Sequence, residues 1–449
     1  MSGDRKRCYR IGLIGCQDVG KTTIATQILD YNDTIDEYPE LFYYLKGCTD
    51  AKRCRLDARG YQDDATYREE LDLRLHRHLD YVPMCHETSK TQFFIMDTQD
   101  PLDPLPGGVS VIRMVLQAEI GILVYSDDKM NVLDEDGQWI DRWKTCEHIH
   151  LARAFGVSKL VVAVNYMTHP RLGWNQERYD AVVAQLGIIC VNAGYEVEDV
   201  TFIPVCGLYD MNVHTKVDRR VSKWWDGPTL LDAVDAFEIE QHQPSDPLRI
   251  IVTGQIIIEE KEFLIAKVES GSVHIGNMLL LMPDEVQVEV SSLLSDKNKI
   301  LDSAGPGECV LVHLLGFAVG NQRKGLVLSS IEKPIQKGTE FIARLLTIKS
   351  PRNAGVFSVG FCSILLLHTA VEDCEVMELI DRINPRTGKP YPRKPSFVNF
   401  EQGNVVVCRL RVHRTICAEN YSDFKKLGGF ALSSKEKIVA TGKVVRFPA

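Results

Sequence analysis

The chain has 449 residues, of which 45% are hydrophobic and 25% charged, and its formal net charge is −9. This composition is typical of a soluble globular protein of about three domains. No apolar run approaches the ~20 residues that cross a bilayer, and the start of the chain lacks a signal-peptide pattern. The 13 cysteines are dispersed and form no CxxC pair, which argues against a disulfide or zinc framework. We therefore expect a cytoplasmic protein without a membrane partner.

The chain first presents a phosphate-binding loop. Residues 15–22 match the pattern GxxxxGK[ST], between an apolar strand at 11–14 and an amphipathic helix pattern at 23–29. Glycines let such a loop point its N–H groups at phosphates, and the helix N-terminus adds partial positive charge. The alternative, an ordinary glycine turn before a helix, lacks this combined context. Phosphate binding is therefore predicted for Gly15, Asp18, Val19, Gly20, Lys21, Thr22 and Thr23.

The elements that follow predict three domains. Strand-like runs at 93–96, 120–124, 160–164 and 201–205 alternate with helical patterns such as 141–154 and 176–193. This βαβ rhythm indicates a doubly wound α/β domain over 1–243. Short alternating strands with glycine and proline turns then predict β-barrels at 244–333 and 334–449.

Charge is unevenly spread along the chain. Residues 336–449 carry 18 Lys and Arg against 10 Asp and Glu, a net charge of +8, which leaves −17 for residues 1–335. Cations gather at 382–394 and recur at Arg409, Arg411 and Arg414, which we expect on one strand face. Such patches attract RNA phosphates, although solvated surface charge explains them equally well.

This layout resembles the translational GTPases, and the motifs support the likeness along nearly the whole chain. The loop at 15–22 looks like the family's Gly-His-Val-Asp-x-Gly-Lys-Ser, and residues 147–165 resemble the segment before its Asn-Lys-Met-Asp motif. The stretches 267–272 and 280–283 look like eukaryotic release factor three and its Pelota-partner rescue relative, whereas 380–389 is shared with elongation factor one-alpha. The resemblance implies a P-loop GTPase fold followed by two β-barrels. It also implies GTP or GDP with Mg²⁺ held by Thr22 and Asp97.

The sequence departs from the family at both switch segments. In switch II the sensor glycine is replaced by Asp100 and the water-positioning histidine by Pro101. Losing such a positioning group commonly lowers the rate by ~10²–10⁴-fold. In switch I the metal-binding threonine falls on His78, and imidazole is a poor Mg²⁺ ligand. His78 is either a solvated loop residue or, with His76 and His86, a ligand for a softer metal. No catalytic residue is assigned.

The base-recognition motifs are also altered. The family's Asn-Lys-x-Asp reads Asn165, Tyr166, Met167 and Thr168, so the acid that accepts two bonds from guanine is lost. The last motif keeps Gly207 but has Cys206 in place of serine. We expect weakened base contacts from Asn165, Tyr166, Cys206 and Gly207, with GTP or GDP bound weakly or not at all, and Mg²⁺ only with nucleotide.

The sequence therefore predicts a pseudo-GTPase of translation termination, ribosome rescue or mRNA surveillance. Its barrels would bind the ribosome and a class-one release factor or Pelota-like protein, with RNA contact through the basic third domain. In release factor three, the partner is held by a segment whose two arginines fall here on Gly429 and Ser433. Phe430 and Leu432 are either recognition residues or barrel core. The alternatives are an active GTPase with remodelled switches and a tRNA carrier like elongation factor one-alpha.

Overall fold

The computed structural model divides by its internal contacts into two compact units. The first comprises Met1–Leu102, Ala118–Arg153 and Val157–Ile239, and the second comprises Asp103–Gln117, Ala154–Gly156 and Glu240–Ala449. The structure describes residues 7–16, 19–30, 84–88, 90–97, 109–127, 140–170, 172–239, 242–258, 261–295, 299–316, 324–348, 355–385, 387–400, 404–434 and 437–447.

A six-stranded sheet forms the centre of the first unit. Its strand order is β2-β3-β1-β4-β5-β6, with all neighbours parallel except the antiparallel edge strand β2. Strands β4 and β5 are buried almost throughout, as continuous apolar runs in parallel sheets require. The strands are β1 Arg7–Ile14, β2 Met84–Glu87, β3 Thr91–Asp97, β4 Ile120–Tyr125, β5 Lys159–Val164 and β6 Val200–Pro204.

Helices alternate with these strands. Helix α1 (Lys21–Asp30) follows β1, and α2 (Val109–Gln117) follows β3 in the chain but belongs by its contacts to the second unit. Helix α3 spans Ile140–Ala154, and α4 spans Gln176–Ala193 between an Asn175 N-cap and a left-handed Gly194. Helix α5 (Leu230–Asp235) begins with a capping box from Thr229 to Asp232. Short 3₁₀ turns cover Val197–Asp199 and Gly207–Tyr209.

The second unit contains two antiparallel barrels. In the first, the order β10-β15-β7-β8-β14-β11 closes because β10 also pairs with β11, and β12 extends its edge. A short β9–β13 pair lies beside it. The strands are β7 Arg249–Ile258, β8 Lys261–Ser270, β9 Val273–His274, β10 Met278–Met282, β11 Val286–Ser295, β12 Ile300–Leu301, β13 Ser303–Ala304, β14 Cys309–Leu315 and β15 Val327–Ser330.

The second barrel is a closed ring of order β16-β21-β19-β18-β22-β23, accompanied by the ribbon β17–β20. Phe430 and Leu432 are fully buried in its core, so of the two roles considered for them the structure supports core packing. Helix α6 (Lys425–Gly428) precedes β22. The strands are β16 Lys337–Thr347, β17 Val356–Ser358, β18 Cys362–Leu367, β19 Ala370–Ile383, β20 Phe397–Asn399, β21 Val405–Cys417, β22 Gly429–Ser434 and β23 Lys437–Arg446.

Specific contacts join the two barrels within this unit. Arg249 on β7 pairs with Glu419 at 2.8 Å, beside an apolar cluster that includes Ile251 and Leu427. Burial raises the pKa of Glu419, against the lowering effect of Arg249. A buried ion pair of this kind fixes orientation more reliably than it adds stability.

The predicted α/β domain with two β-barrels is confirmed as the fold. Each predicted strand and helix named above is present, with boundaries shifted by no more than a few residues. Cysteines in the described part of the chain are free thiols, and seven of these ten are buried. Among the described residues, no helix is long and apolar enough to span a membrane. The three domain boundaries stay a prediction.

Candidate nucleotide-binding site

The phosphate loop joins the end of β1 to the start of α1. Gly15 and Gly20 both have positive φ, at 150° and 95°. A Cβ at Gly15 would lie 2.5 Å from the Val124 carbonyl oxygen, and one at Gly20 would lie 2.4 Å from Asn165 Nδ2. Only glycine fits either position, because the loop packs directly on the carboxyl ends of β4 and β5. This is the edge at which open α/β sheets bind ligands.

Lys21 bridges the loop from the first turn of α1. Its ammonium donates to the carbonyl oxygens of Gly15 at 2.9 Å and Cys16 at 2.8 Å. The side chain is buried, so the two carbonyl oxygens are needed to compensate the cost of removing its positive charge from water. The ammonium thus lies inside the loop at the helix N-terminus, where a phosphate would be attracted. Thr22 is half-buried, whereas Val19 and Thr23 are buried.

Asn165 fastens the loop to the base-recognition segments. Its Nδ2 donates to the Val19 carbonyl at 2.9 Å, and its Oδ1 accepts from the Gly207 N–H at 3.0 Å. The side chain is only 2% exposed. One amide therefore holds three segments of the site together, and the weakened base contact expected from Asn165 stays a prediction.

Two of the positions that depart from the guanine motifs contact each other. Thr168 Oγ1 lies 3.0 Å from Cys206 Sγ, within hydrogen-bonding reach. Tyr166 adopts a left-handed φ of 60°, and its hydroxyl oxygen lies 3.6 Å from the position that a Gly20 Cβ would occupy. The phenol therefore lies beside the phosphate loop, and neither Thr168 nor Cys206 brings a carboxylate to this side of the site. The residues present fit a phosphate group, and the weakened recognition of guanine stays a prediction.

Several predicted site residues lie outside the described part of the chain. These are Asp18, His76, His78, Asp100 and Pro101. Asp97 closes β3 opposite Leu13 of β1, which places its backbone at the sheet edge of the phosphate loop. The roles proposed for these residues stay predictions. Within the described ranges, no group of three or more His, Cys, Asp or Glu side chains is arranged to hold a metal ion.

A histidine pair beside α1 was not anticipated from the sequence. The rings of His86 and His214 lie 5.6 Å apart, and His214 Nε2 lies 3.0 Å from the carbonyl oxygen of Gln27 in the last turns of α1. Burial, together with repulsion from His214, lowers the pKa of His86 to about 4. The two histidines are 128 residues apart in sequence, so no local pattern could have signalled the pair.

Carboxylates compensate three cations of the predicted basic patch of the last barrel. Arg409 and Lys394 share Glu378, at 3.8 and 2.6 Å, and Arg411 pairs with Glu340 at 2.6 Å. Glu378 consequently has a lowered pKa, through its bond to Lys394 first. The β16–β21 pairing is irregular between Gly338 and Glu340, opposite the stretch of β21 that holds Arg414. One shared face for Arg409, Arg411 and Arg414 therefore stays a prediction. Fewer free cations remain to attract RNA than the sequence indicated.

This geometry defines a class: a P-loop α/β unit of the GTPase type followed by antiparallel barrels. Residues 340–445 match the family model described as GTP-eEF1A C-terminal domain-like. The eukaryotic peptide chain release factor GTP-binding subunit of Ogataea pini is 30% identical over 371 residues, covering 80% of this chain and 47% of its own. Elongation factor 1-alpha of Desulfurococcus mucosus is 28% identical over 461 residues, covering 99% and 98%.

A solved structure agrees with this fold. The Saccharomyces cerevisiae Ski7 GTPase-like domain superposes with a TM-score of 0.69 at 13% identity, covering 98% of both chains. The chain belongs to the translational GTPase family, in the group of release factor three and elongation factor 1-alpha. It spans about half the length of the Ogataea release factor subunit that it matches.

Proposed function

We propose that this chain is a pseudo-GTPase of translation termination, ribosome rescue or mRNA surveillance. In this proposal the first unit contributes its folded surface to binding and does not act as a nucleotide-driven switch. Nucleotide is either a structural ligand of this unit or absent. The barrels bind the ribosome and a class-one release factor or Pelota-like protein. Homology to release factors supports the pathway. The cytoplasm is the compartment in which such a factor works.

The contact between Thr168 and Cys206 carries this proposal. Both positions face the base in the family's motifs, and here they are within bonding distance of each other at 3.0 Å. Asn165 meanwhile keeps its bridging bonds to Val19 and Gly207. These contacts support the proposal that the architecture of the site is retained while its recognition of guanine is lost. At Asp100, Pro101 and His78, the sequence replaces the switch residues on which hydrolysis depends.

Nucleotide titration with a turnover assay tests the proposal directly. Isothermal titration calorimetry with GTP, GDP and ATP, with and without Mg²⁺, should give GTP and ATP affinities within about tenfold of each other. Two charge-assisted bonds worth ~1.5–3 kcal/mol each have been lost, so little discrimination remains. Phosphate release should stay at background. Strong GTP selectivity together with turnover would refute the proposal.

The alternative is an active factor with remodelled switches. The intact phosphate loop and the Lys21 geometry favour it, and the related Ski7 domain is itself described as bound to GTP. Ribosome-stimulated phosphate release that disappears in a Lys21→Ala variant would establish this alternative. A tRNA carrier, the remaining candidate, should retard charged tRNA in a gel in a GTP-dependent way.

A further inference from the structure

A surface pocket of about 470 Å³ opens on the last barrel, away from the phosphate loop in sequence. It lies across four strands, β21, β19, β18 and β22, which are neighbours in the ring. Asp373, Glu375, Ser363 and Ser433 are among the residues that line it. The volume suits one side chain or a short peptide segment rather than a folded domain.

Two carboxylates give this pocket its charge. Asp373 and Glu375 alternate with the buried Cys374 along β19, so both point to the exposed face of the strand. Neither forms an ion pair or hydrogen bond with another described residue. The cation in the wall, Arg411, is already compensated by Glu340, whose Oε1 accepts from both Nε and Nη2 at 2.7 and 2.6 Å. The carboxylates therefore leave an excess of negative charge, which repels phosphate ligands.

A buried hydroxyl contributes unused hydrogen-bonding capacity. Ser433 is fully buried, and its Oγ atom has no partner among the described residues. Ser433 shares the outer face of the sheet with Asp373, because Ile364 of β18 pairs with both residues. Buried polar atoms are nearly always satisfied, so an unpaired hydroxyl in the pocket wall points to a ligand. Burial raises the pKa of the adjacent Cys374 to about 12, with Cys362 and Glu375 adding to the effect.

We propose that the pocket binds an arginine side chain supplied by a partner protein. A guanidinium presents five N–H donors in a planar fork. This geometry matches the two carboxylates, which can only accept hydrogen bonds, and the Ser433 hydroxyl, which can accept one. Its methylene stem would pack on Ile364, which also lines the pocket and pairs with Asp373 on the outer face of the sheet. The inference rests on the proposed role of the barrels in holding a protein partner, and it adds the chemistry of one contact.

Protection of Cys362 provides the test, because this exposed thiol lines the pocket. The full chain is alkylated with iodoacetamide while the peptide acetyl-Gly-Arg-Gly-amide is titrated, and modification of each cysteine is followed by mass spectrometry. Cys8, exposed in the other unit, is the internal reference. We expect saturable slowing of Cys362 alkylation by at least threefold. The citrulline peptide, at matched ionic strength, should have no such effect.

Variants separate the pocket from general electrostatics. Asp373→Asn combined with Glu375→Gln should abolish protection, whereas Glu332→Gln, an exposed acid outside the pocket, should retain it. Equal protection by the citrulline peptide, absence of protection in the unmodified chain, or protection that survives the double substitution would each overturn the proposal. Free arginine or spermidine binding as tightly as the peptide would overturn the assignment to a protein partner. Nucleotide titration is independent of this assay, so the two proposals can fail separately.

Discussion

We expect base selectivity in this molecule to depend chiefly on the side chain at position 168. Thr168 presents a hydroxyl to Cys206, whereas the family's acid at this position accepts two bonds from guanine. Restoring a carboxylate should therefore restore selectivity without rebuilding the site, because Asn165 already holds the surrounding segments in place.

We expect Thr168→Asp to raise the ratio of GTP to ATP affinity by at least tenfold. Each restored bond to a charged group is worth ~1.5–3 kcal/mol, and about 1.4 kcal/mol is a factor of ten. Calorimetric titration of both nucleotides gives the ratio. Thr168→Asn, which has the same shape without the charge, is the matched control and should leave the ratio within about twofold of the original. An unchanged ratio in the aspartate variant would mean that the base does not bind at this segment.

His86 makes the stability of the first unit depend on pH. Its pKa is about 4 in the folded chain and about 6.5 when unfolded, so between these values the unfolded state binds more protons. The free energy of unfolding should therefore fall as pH decreases through this window, by about 2 kcal/mol between pH 7.5 and 5 from this group. Urea unfolding followed by tryptophan fluorescence reports on this unit, since all five tryptophans precede residue 240. In His86→Gln the pH dependence should shrink by that amount, and a slope equal to the parent's would contradict the assignment. The buried His150, whose pKa burial also lowers to about 4, remains in both proteins.

At the level of elements, helix α2 is held at its C-terminus by two buried lysines. Lys426 donates to the Leu116 carbonyl at 2.8 Å and Lys267 to the Gln117 carbonyl at 2.7 Å. Both ammonium groups approach Glu269 within 3.7 Å. Cations at this end interact favourably with the partial negative charge of the helix C-terminus, and they donate to carbonyls that have no partner in the helix.

Lys426→Met should loosen this helix, because it leaves Glu269 with less compensation in a buried site. Breaking such a pair costs about 3 kcal/mol, which corresponds to roughly a hundredfold faster amide exchange. Hydrogen-exchange mass spectrometry of the peptide covering α2 measures the change. Lys425→Met, at the exposed neighbouring position, is the matched control and should have little effect. Equal acceleration in both variants would show that the lysine contacts do not hold the helix.

Helices and strands could be predicted from the sequence, whereas the contacts between distant side chains could not. Apolar runs such as 160–164 identify buried parallel strands because burial on both faces leaves no alternation. The sequence also shows that Thr168 and Cys206 each replace a residue of the family's base-recognition motifs. Their mutual contact, the His86–His214 pair and the lysines under α2 join positions 38 to 310 residues apart. Such pairings depend on tertiary packing, which local periodicity does not encode.

For the whole molecule, the barrels and the phosphate loop should make separable contributions to ribosome binding. We compare four conditions: GTP, GDP, a non-hydrolysable GTP analogue and no nucleotide. If nucleotide is a structural ligand, the fraction of protein that sediments with ribosomes should differ by no more than about twofold among them. A ligand with equal affinity for two states cannot shift their populations. The sequence replaces the sensor glycine of switch II by Asp100, so we expect GTP and GDP to act alike. Lys21→Ala should sediment like the parent, provided its unfolding midpoint is unchanged. If binding instead required the GTP analogue and disappeared in Lys21→Ala, nucleotide would still control this chain, and the pseudo-GTPase proposal would have to be abandoned in favour of an active factor.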